Sequence, residues 1–228
     1  MSLVGGIRLM GAYGEKGCVV TGLFVVFEGA DGTGKSTQVA AVADALRHSG
    51  KEVVVTREPG GSDVAETLRA LVLDPATQID DMTETLIFAA ARADHVAKTI
   101  VPALDSGKVV LSDRFVGSSI AYQSAGRGLS EDAVAEINHY ATGGLNPDLT
   151  VVLDLDPAVA GVRRDDRGEM IDRMEAAPDG FQETVRGSFL AQVQAAPDRH
   201  LLVPAAQAPE TITSQILTHL ETTYGVKL

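Results

Sequence analysis

Tryptophan is absent from this chain, aromatic residues make up 4% of it, and cysteine occurs once, at Cys18. A single cysteine forbids an intrachain disulfide and leaves no basis for a cysteine-built metal site. His139 and His200 have no partner at metal-ligand spacing, so no zinc site is expected. No apolar run reaches the roughly 18 residues a membrane span needs, so no transmembrane helix and no membrane partner are expected. Basic residues are outnumbered: the formal net charge is −12. That speaks against nucleic-acid polymers, whose affinity comes largely from Lys and Arg neutralising phosphates. A small nucleotide is not excluded, because it needs only a local cationic pocket. The opening stretch is glycine-rich and lacks the apolar continuity of a signal-peptide core. Residues 1–21 are expected to be a loosely ordered extension, and the protein to be cytoplasmic.

What remains is ordinary for a globular protein. The 228 residues are 45% hydrophobic and 22% charged, enough for one large α/β domain over residues 22–228. Apolar, β-prone runs alternate with helical periodicity, which favours a parallel sheet covered by helices on both faces. Five strands are expected at Leu23–Glu28, Glu52–Thr56, Lys108–Ser112, Leu149–Asp154 and Arg199–Val203. Helices are expected at Lys35–His48, Ser62–Leu73, Thr83–Leu104, Glu131–Thr142, Pro157–Arg164, Asp179–Ala195 and Pro209–Tyr224. There is no internal repeat and no low-complexity linker.

Between the first strand and first helix stands Gly29-Ala30-Asp31-Gly32-Thr33-Gly34-Lys35-Ser36, followed by Thr37. It fits the phosphate-binding P-loop pattern in the strand–turn–helix context that pattern requires. Glycines let the backbone bend so that N–H groups point inward at a phosphate, and the helix N-terminus adds partial positive charge. Lys35 is placed to reach the β- and γ-phosphates, and Ser36 to hold Mg²⁺. This motif announces ATP or a related triphosphate, and leaves the acceptor open.

The strand ends narrow that choice. In sheets of this kind ligands bind beyond the carboxyl ends of the strands. The second strand is followed by Arg57 and the third by Asp113-Arg114-Phe115. Two arginines beside Lys35 would hold more negative charge than one triphosphate carries. A phosphate-monoester acceptor, with a second pKa near ~6, needs no base to take a proton. It needs cations that hold two polyanions in line, a task suited to guanidinium forks. From residue chemistry alone, each arginine could equally serve a structural ion pair. Asp94 and His95 read as a partly exposed helix face.

Taken together, Phe27 to Gln38, Thr56-Arg57-Glu58-Pro59-Gly60-Gly61, Asp113-Arg114-Phe115 with Ser118-Ser119-Ile120-Ala121-Tyr122-Gln123, Asn146 to Thr150, and Asp172-Arg173-Met174-Glu175 closely resemble thymidylate kinase. The similarity runs in order from about Leu23 to the C-terminus. It implies a nucleoside-monophosphate-kinase-like P-loop fold with a five-stranded sheet and a short lid. It implies transfer of the γ-phosphoryl of ATP to dTMP with Mg²⁺, and a homodimer. On this resemblance Phe88 stacks on thymine and Arg92 donates to its O4. Ser119 and Gln123 address the remaining base edge, and Tyr122 crowds the 2′ position. Arg57 and Arg114 bind the acceptor phosphate, Asp31 sits near the acceptor sugar and phosphate, and Asp113 joins Ser36 at the metal. Some relatives carry an arginine inside the P-loop where this chain has Gly32. The resemblance is therefore to the mainly bacterial subgroup that supplies it from the lid, about residues 163–175, with Arg164 or Arg167 as candidates and Arg163 a further one. Adenine contacts are expected near Ala205, Ala206 and Gln207. Two other readings are disfavoured. A deoxynucleoside kinase usually has Glu-Arg-Ser where Asp113-Arg114-Phe115 stands. A GTP-operated switch needs an Asn-Lys pair, which is absent.

Overall fold

A computed structural model describes residues 22–165, 174 and 180–228, with the backbone alone at Arg164 and Asp165. The extension 1–21 and most of the lid, Arg167 included, lie outside the described residues. In chain order the elements are β1 (Leu23–Glu28), α1 (Lys35–His48), β2 (Val53–Arg57), α2 (Asp63–Leu73), α3 (Asp81–His95), α4 (Val101–Asp105), β3 (Val109–Asp113), α5 (Val116–Ser119), α6 (Glu131–Thr142), β4 (Leu149–Asp154), α7 (Pro157–Asp165), α8 (Phe181–Ala195), β5 (His200–Pro204) and α9 (Pro209–Tyr224). All five expected strands are present, three of them one residue later than the sequence pattern placed them.

The sheet is parallel throughout, in the order β2-β3-β1-β4-β5. Its strands are apolar on both faces, as a sheet covered twice requires. Along β1 the side chains alternate. Val25 and Phe27 pack with Val39, Val42 and Leu46 of α1 and with Ile216 and Leu220 of α9, while Phe24 and Val26 pack with Val96, Ile100 and Leu104. Each face thus holds its own core, and the P-loop emerges between them. Register brings the strand ends level. Asp113 lies opposite both Phe27 and Arg57, so the loops after β1, β2 and β3 open side by side.

The structure departs from the periodicity in two places. The expected helix Thr83–Leu104 is interrupted by a π turn, Val96–Ile100, between α3 and α4. That turn precedes Pro102, which has no N–H to give the preceding turn. The second departure is a helix the pattern did not predict: α5 continues as a π segment, Ile120–Gly126. Its Ser- and Gly-rich sequence is a poor helix former, and packing supplies what propensity lacks. Ala121 and Tyr122 are buried among Phe181, Val185 and Phe189 of α8.

Candidate active site

Gly29, Gly32 and Gly34 all adopt positive φ, and Gly34 caps α1 from the left-handed region. A Cβ at Gly32 would run into the Ala160 carbonyl of α7, so this position admits glycine and brings the helix entering the lid against the P-loop. Thr33 Oγ1 donates to Ala30 O at 2.9 Å, closing the turn. Lys35 is buried, and its Nζ donates to Gly29 O at 3.0 Å and Ala30 O at 2.9 Å. Burial, then the nearby Arg114 cation, pushes the Lys35 pKa down; Asp31 pulls it back up. Ser36 and Thr37 are exposed at the start of α1. Ser36 Oγ donates to Asp113 Oδ2 at 3.0 Å.

Arg114 is the hinge of the site. It is the one non-glycine among the described residues at positive φ, 74°, a strained conformation of the kind that clusters at functional sites. Its Nη1 donates to Gly29 O (3.1 Å) and Ser118 Oγ (2.9 Å), and its Nη2 to Asp31 Oδ1 (2.5 Å) and Tyr122 Oη (3.2 Å). Gly29 O therefore accepts from Lys35 and Arg114 together. Tyr122 Oη donates to Asp31 Oδ2 at 3.0 Å. Burial alone would raise the Asp31 carboxyl, but the Arg114 and Lys35 cations and the hydrogen bonds from Tyr122 and Arg114 hold it well below the usual carboxylate range. Beneath Arg114, the Glu28 carboxylate accepts from the N–H groups of Phe115 (2.9 Å) and Ser118 (3.0 Å) and from the Ser118 hydroxyl (2.6 Å). Burial pushes the Glu28 carboxyl up despite those bonds and the Arg114 charge.

From Asp31 and Arg114 an open cleft of about 610 Å³ runs between α2, α3 and the Ser118–Gln123 segment. Phe88, half-buried, forms part of its wall with Leu73, Tyr122 and Met174. Arg92, 3% exposed, lies at its floor in a network of buried polar groups. Its Nε donates to Glu58 Oε2 at 2.6 Å, Nη1 to Ser119 Oγ at 2.9 Å and to Asn138 Oδ1, and Nη2 to Phe115 O at 3.1 Å. Glu58 Oε1 lies 2.9 Å from His95 Nδ1, and His95 Nε2 lies 2.6 Å from Thr56 Oγ1. His95 is fully buried, which corrects its reading as part of a partly exposed face. The periodicity of α3 could not show that the β2–α2 loop covers it.

The expected residues converge with one exception. Asp31, Phe88, Arg92, Arg114, Ser119, Tyr122 and Gln123 all line the cleft. Arg57 does not: its side chain is 54% exposed and paired with Glu66 at 3.0 Å. Arg69 of α2 lines the cleft in its place, Nη1 donating to Pro59 O at 2.7 Å. Nothing in the sequence distinguished Arg69 from a solvated helix arginine. Glu28, Glu58, Glu84 and Asn138, buried polar groups bonded to residues of the cleft, were also missed; their signal, a polar residue at a buried position, is visible only once the core faces are assigned. Of the lid candidates, Arg167 lies outside the described residues, as does the Arg164 side chain. Arg163 Nη1 donates to Ala205 O at 3.1 Å, tying α7 to the loop after β5.

The thymidylate kinase family profile matches residues 27–216. Thymidylate kinase from Clavibacter michiganensis subsp. michiganensis is 47% identical over 202 residues, 89% of this chain and 96% of the relative. Thymidylate kinase from Lactobacillus delbrueckii subsp. bulgaricus is 47% identical over 203 residues, covering 86% and 94%. The crystal structure of thymidylate kinase from Ehrlichia chaffeensis superposes with a TM-score of 0.72 at 30% identity, covering 88% of this chain and 99% of that one. Matched by the family profile over most of its length and nearly half identical to relatives across almost their whole chains, the chain belongs to the thymidylate kinase family.

Proposed function

We infer that this protein transfers the γ-phosphoryl group of ATP to dTMP, giving dTDP and ADP in deoxythymidine nucleotide biosynthesis. The observation that carries the reading is the sharing of Gly29 O by Lys35 and Arg114. Those two cations stand where donor and acceptor phosphates would meet, and a base-sized cleft leads from them to Phe88 and Arg92.

The P-loop amides from Gly29 to Thr37, with Lys35, bind the β- and γ-phosphates of ATP. Arg114 and Arg69 hold the acceptor phosphate, the dianionic form of which attacks directly, so no side chain is required as a base. The cations lower the repulsion between the two polyanions and keep them in line. Phe88 stacks on thymine. Four of the five Arg92 N–H groups have protein partners, and the remaining Nη2 hydrogen is assigned to thymine O4. Cytosine presents an amino donor there and would leave that N–H unsatisfied. Ser119 and Gln123 complete the base edge. Tyr122, held by Asp31 and Arg114, stands against the 2′ position, and Asp31 faces the acceptor sugar.

Ser36 Oγ and Asp113 Oδ2, 3.0 Å apart beside Lys35, are hard oxygen donors, one of them a carboxylate, and suit Mg²⁺ completed by substrate phosphates. When bound there, Mg²⁺ neutralises charge on the β- and γ-phosphates. Glycine at position 32, pressed against α7, supports delivery of the missing arginine by the lid, through Arg164 or Arg167. A homodimer is supported by Val64 and Leu71 of α2, Met82 and Leu86 of α3 and Tyr140 of α6, all exposed. No helix among the described residues is long and apolar enough to cross a membrane; the cytoplasm suits an enzyme of nucleotide synthesis.

An ADP-release assay with Mg-ATP and a panel of nucleoside monophosphates tests the reading. Turnover is expected to require an acceptor and to be fastest with dTMP. Equal rates with and without dTMP would overturn it.

A further inference from the structure

Glu84 lies on α3 one helical turn before Phe88. It is fully buried, although no phosphate, sugar or metal role reaches it. A buried carboxylate requires compensation, and two residues of one turn supply it. Gln123 Nε2 donates to Glu84 Oε1 at 2.9 Å. Arg127 Nη2 lies 3.3 Å from Oε2 and Arg127 Nε 3.4 Å from Oε1. Arg127 is itself held by Asp81 at 3.6 Å and over the Phe181 ring at 5.4 Å.

An ionised carboxylate accepts hydrogen bonds and donates none. Gln123 could in principle present either end of its amide to the cleft it lines. Against Glu84 it has no such freedom, because turning over would set its carbonyl oxygen against a carboxylate. Glu84, paired with Arg127, therefore fixes the polarity of the Gln123 amide, with the nitrogen held on Glu84 and the oxygen left for the cleft. An acceptor so placed matches a base whose ring N3 carries a hydrogen, as in thymine and uracil. It repels cytosine, whose N3 is itself an acceptor.

We propose that Glu84 is a positioning residue for acceptor selection, acting through Gln123 to exclude bases that lack an N3 hydrogen. The inference rests on Gln123 being a base contact, as given above. It makes Gln123, set by Glu84, and Arg92 independent readers of the same distinction, one through N3 and the other through O4.

The test is kcat/KM for dTMP, dUMP and dCMP in the wild-type enzyme, Glu84→Gln and Glu84→Asp. Glu84→Gln replaces an acceptor-only partner with one that can donate. The dTMP:dCMP ratio should fall about tenfold, while the dTMP:dUMP ratio stays within twofold, because thymine and uracil share the N3 and O4 groups. Glu84→Asp keeps an acceptor-only partner. It should lower all three values together and hold the dTMP:dCMP ratio within threefold of wild type. A merely structural role would lower all three substrates alike in Glu84→Gln, and that result overturns the proposal. Should Glu84→Gln fail to fold, the same ratio is read in Glu84→Met, which removes the acceptor that holds Gln123 Nε2. The ratio is expected to fall there too, and an unchanged ratio would overturn the assignment. A wild-type enzyme indifferent between dTMP and dCMP would overturn the base-contact reading itself. A wild-type preference that survives Glu84→Gln would overturn only the role given to Glu84.

Discussion

Arg92 and Arg114 stand at opposite ends of one cleft and are held in opposite ways. Arg92, at the end proposed to take the base, is bonded to Glu58, Ser119, Asn138 and the Phe115 carbonyl, all buried and none part of the P-loop. Arg114, at the phosphate end, is bonded to Gly29 O and Asp31 of the P-loop and to the adjacent Ser118 and Tyr122. Lys35 is likewise turned onto the P-loop carbonyls. The base end is thus built before substrate arrives, with one donor left for the ligand. At the phosphate end the loop's own oxygens occupy the donors that phosphate oxygens would take. Binding there is an exchange of partners. On the proposed function, selection of the base draws on a rigid, buried network, and transfer draws on cations that can change partners.

The sharpest break of this contrast is Lys35→Ala. Removing one electrostatic donor from a reacting centre costs on the order of 10²–10³ in kcat, and here it should abolish measurable ADP release while Tm moves by only a few degrees. Arg92→Ala should behave the other way. It leaves Glu58 buried without its cation, a loss of about 3–5 kcal/mol, which for a chain of this size lowers Tm by roughly 6–20 °C. Thermal unfolding reads it, and an unchanged Tm would show that the base end is not the prebuilt half. Two further arginines, Arg69 in the cleft and Arg57 outside it, sharpen the boundary between the ends. Arg69→Ala should raise KM for dTMP about tenfold, the worth of one charge-assisted hydrogen bond. Arg57→Ala, exposed on Glu66, should change it less than twofold.

The smallest effect expected is a pair of opposite pH slopes from two acids of the phosphate end. Asp31 titrates below its unfolded value, so its contribution to stability is present above about pH 4 and fades as pH falls further. Wild type and Asp31→Asn should therefore converge in Tm below that pH. Glu28 titrates above its unfolded value, so its contribution is full in acid and is lost as pH rises from about 4.5. Glu28→Gln should gain on wild type over that rise. Parallel slopes for the two variants would contradict the opposed environments.

Much of the phosphate end was legible in the sequence, because its chemistry is carried by backbone. A glycine-rich turn between an apolar strand and a helix declares itself, and Asp113-Arg114 follows directly from the end of β3. That Phe88 and Arg92 face one cleft was legible only through the resemblance that singled them out, since a phenylalanine and an arginine on a helix are ordinarily core and surface. What failed was direction. Arg57 sits at the right strand end, yet its side chain turns to Glu66, while Arg69 reaches the cleft from α2. The Val116–Gly126 segment was missed for a related reason: its helix is held by α8, a partner remote in sequence, against its own weak propensity. His95, Glu58 and Glu84 look like solvated positions until the β2–α2 loop and the Ile120–Gly126 segment fold over them.

A crystal structure with dTMP and a non-hydrolysable ATP analogue tests the central claim most directly. The account predicts that Arg92 keeps Glu58, Ser119, Asn138 and the Phe115 carbonyl within hydrogen-bonding distance. It predicts that Lys35 Nζ leaves Gly29 O and Ala30 O for the phosphates, and that Arg114 gives up a P-loop partner for the acceptor phosphate. A ternary complex in which the Arg92 network is rebuilt while Lys35 and Arg114 stay on the P-loop oxygens would contradict it.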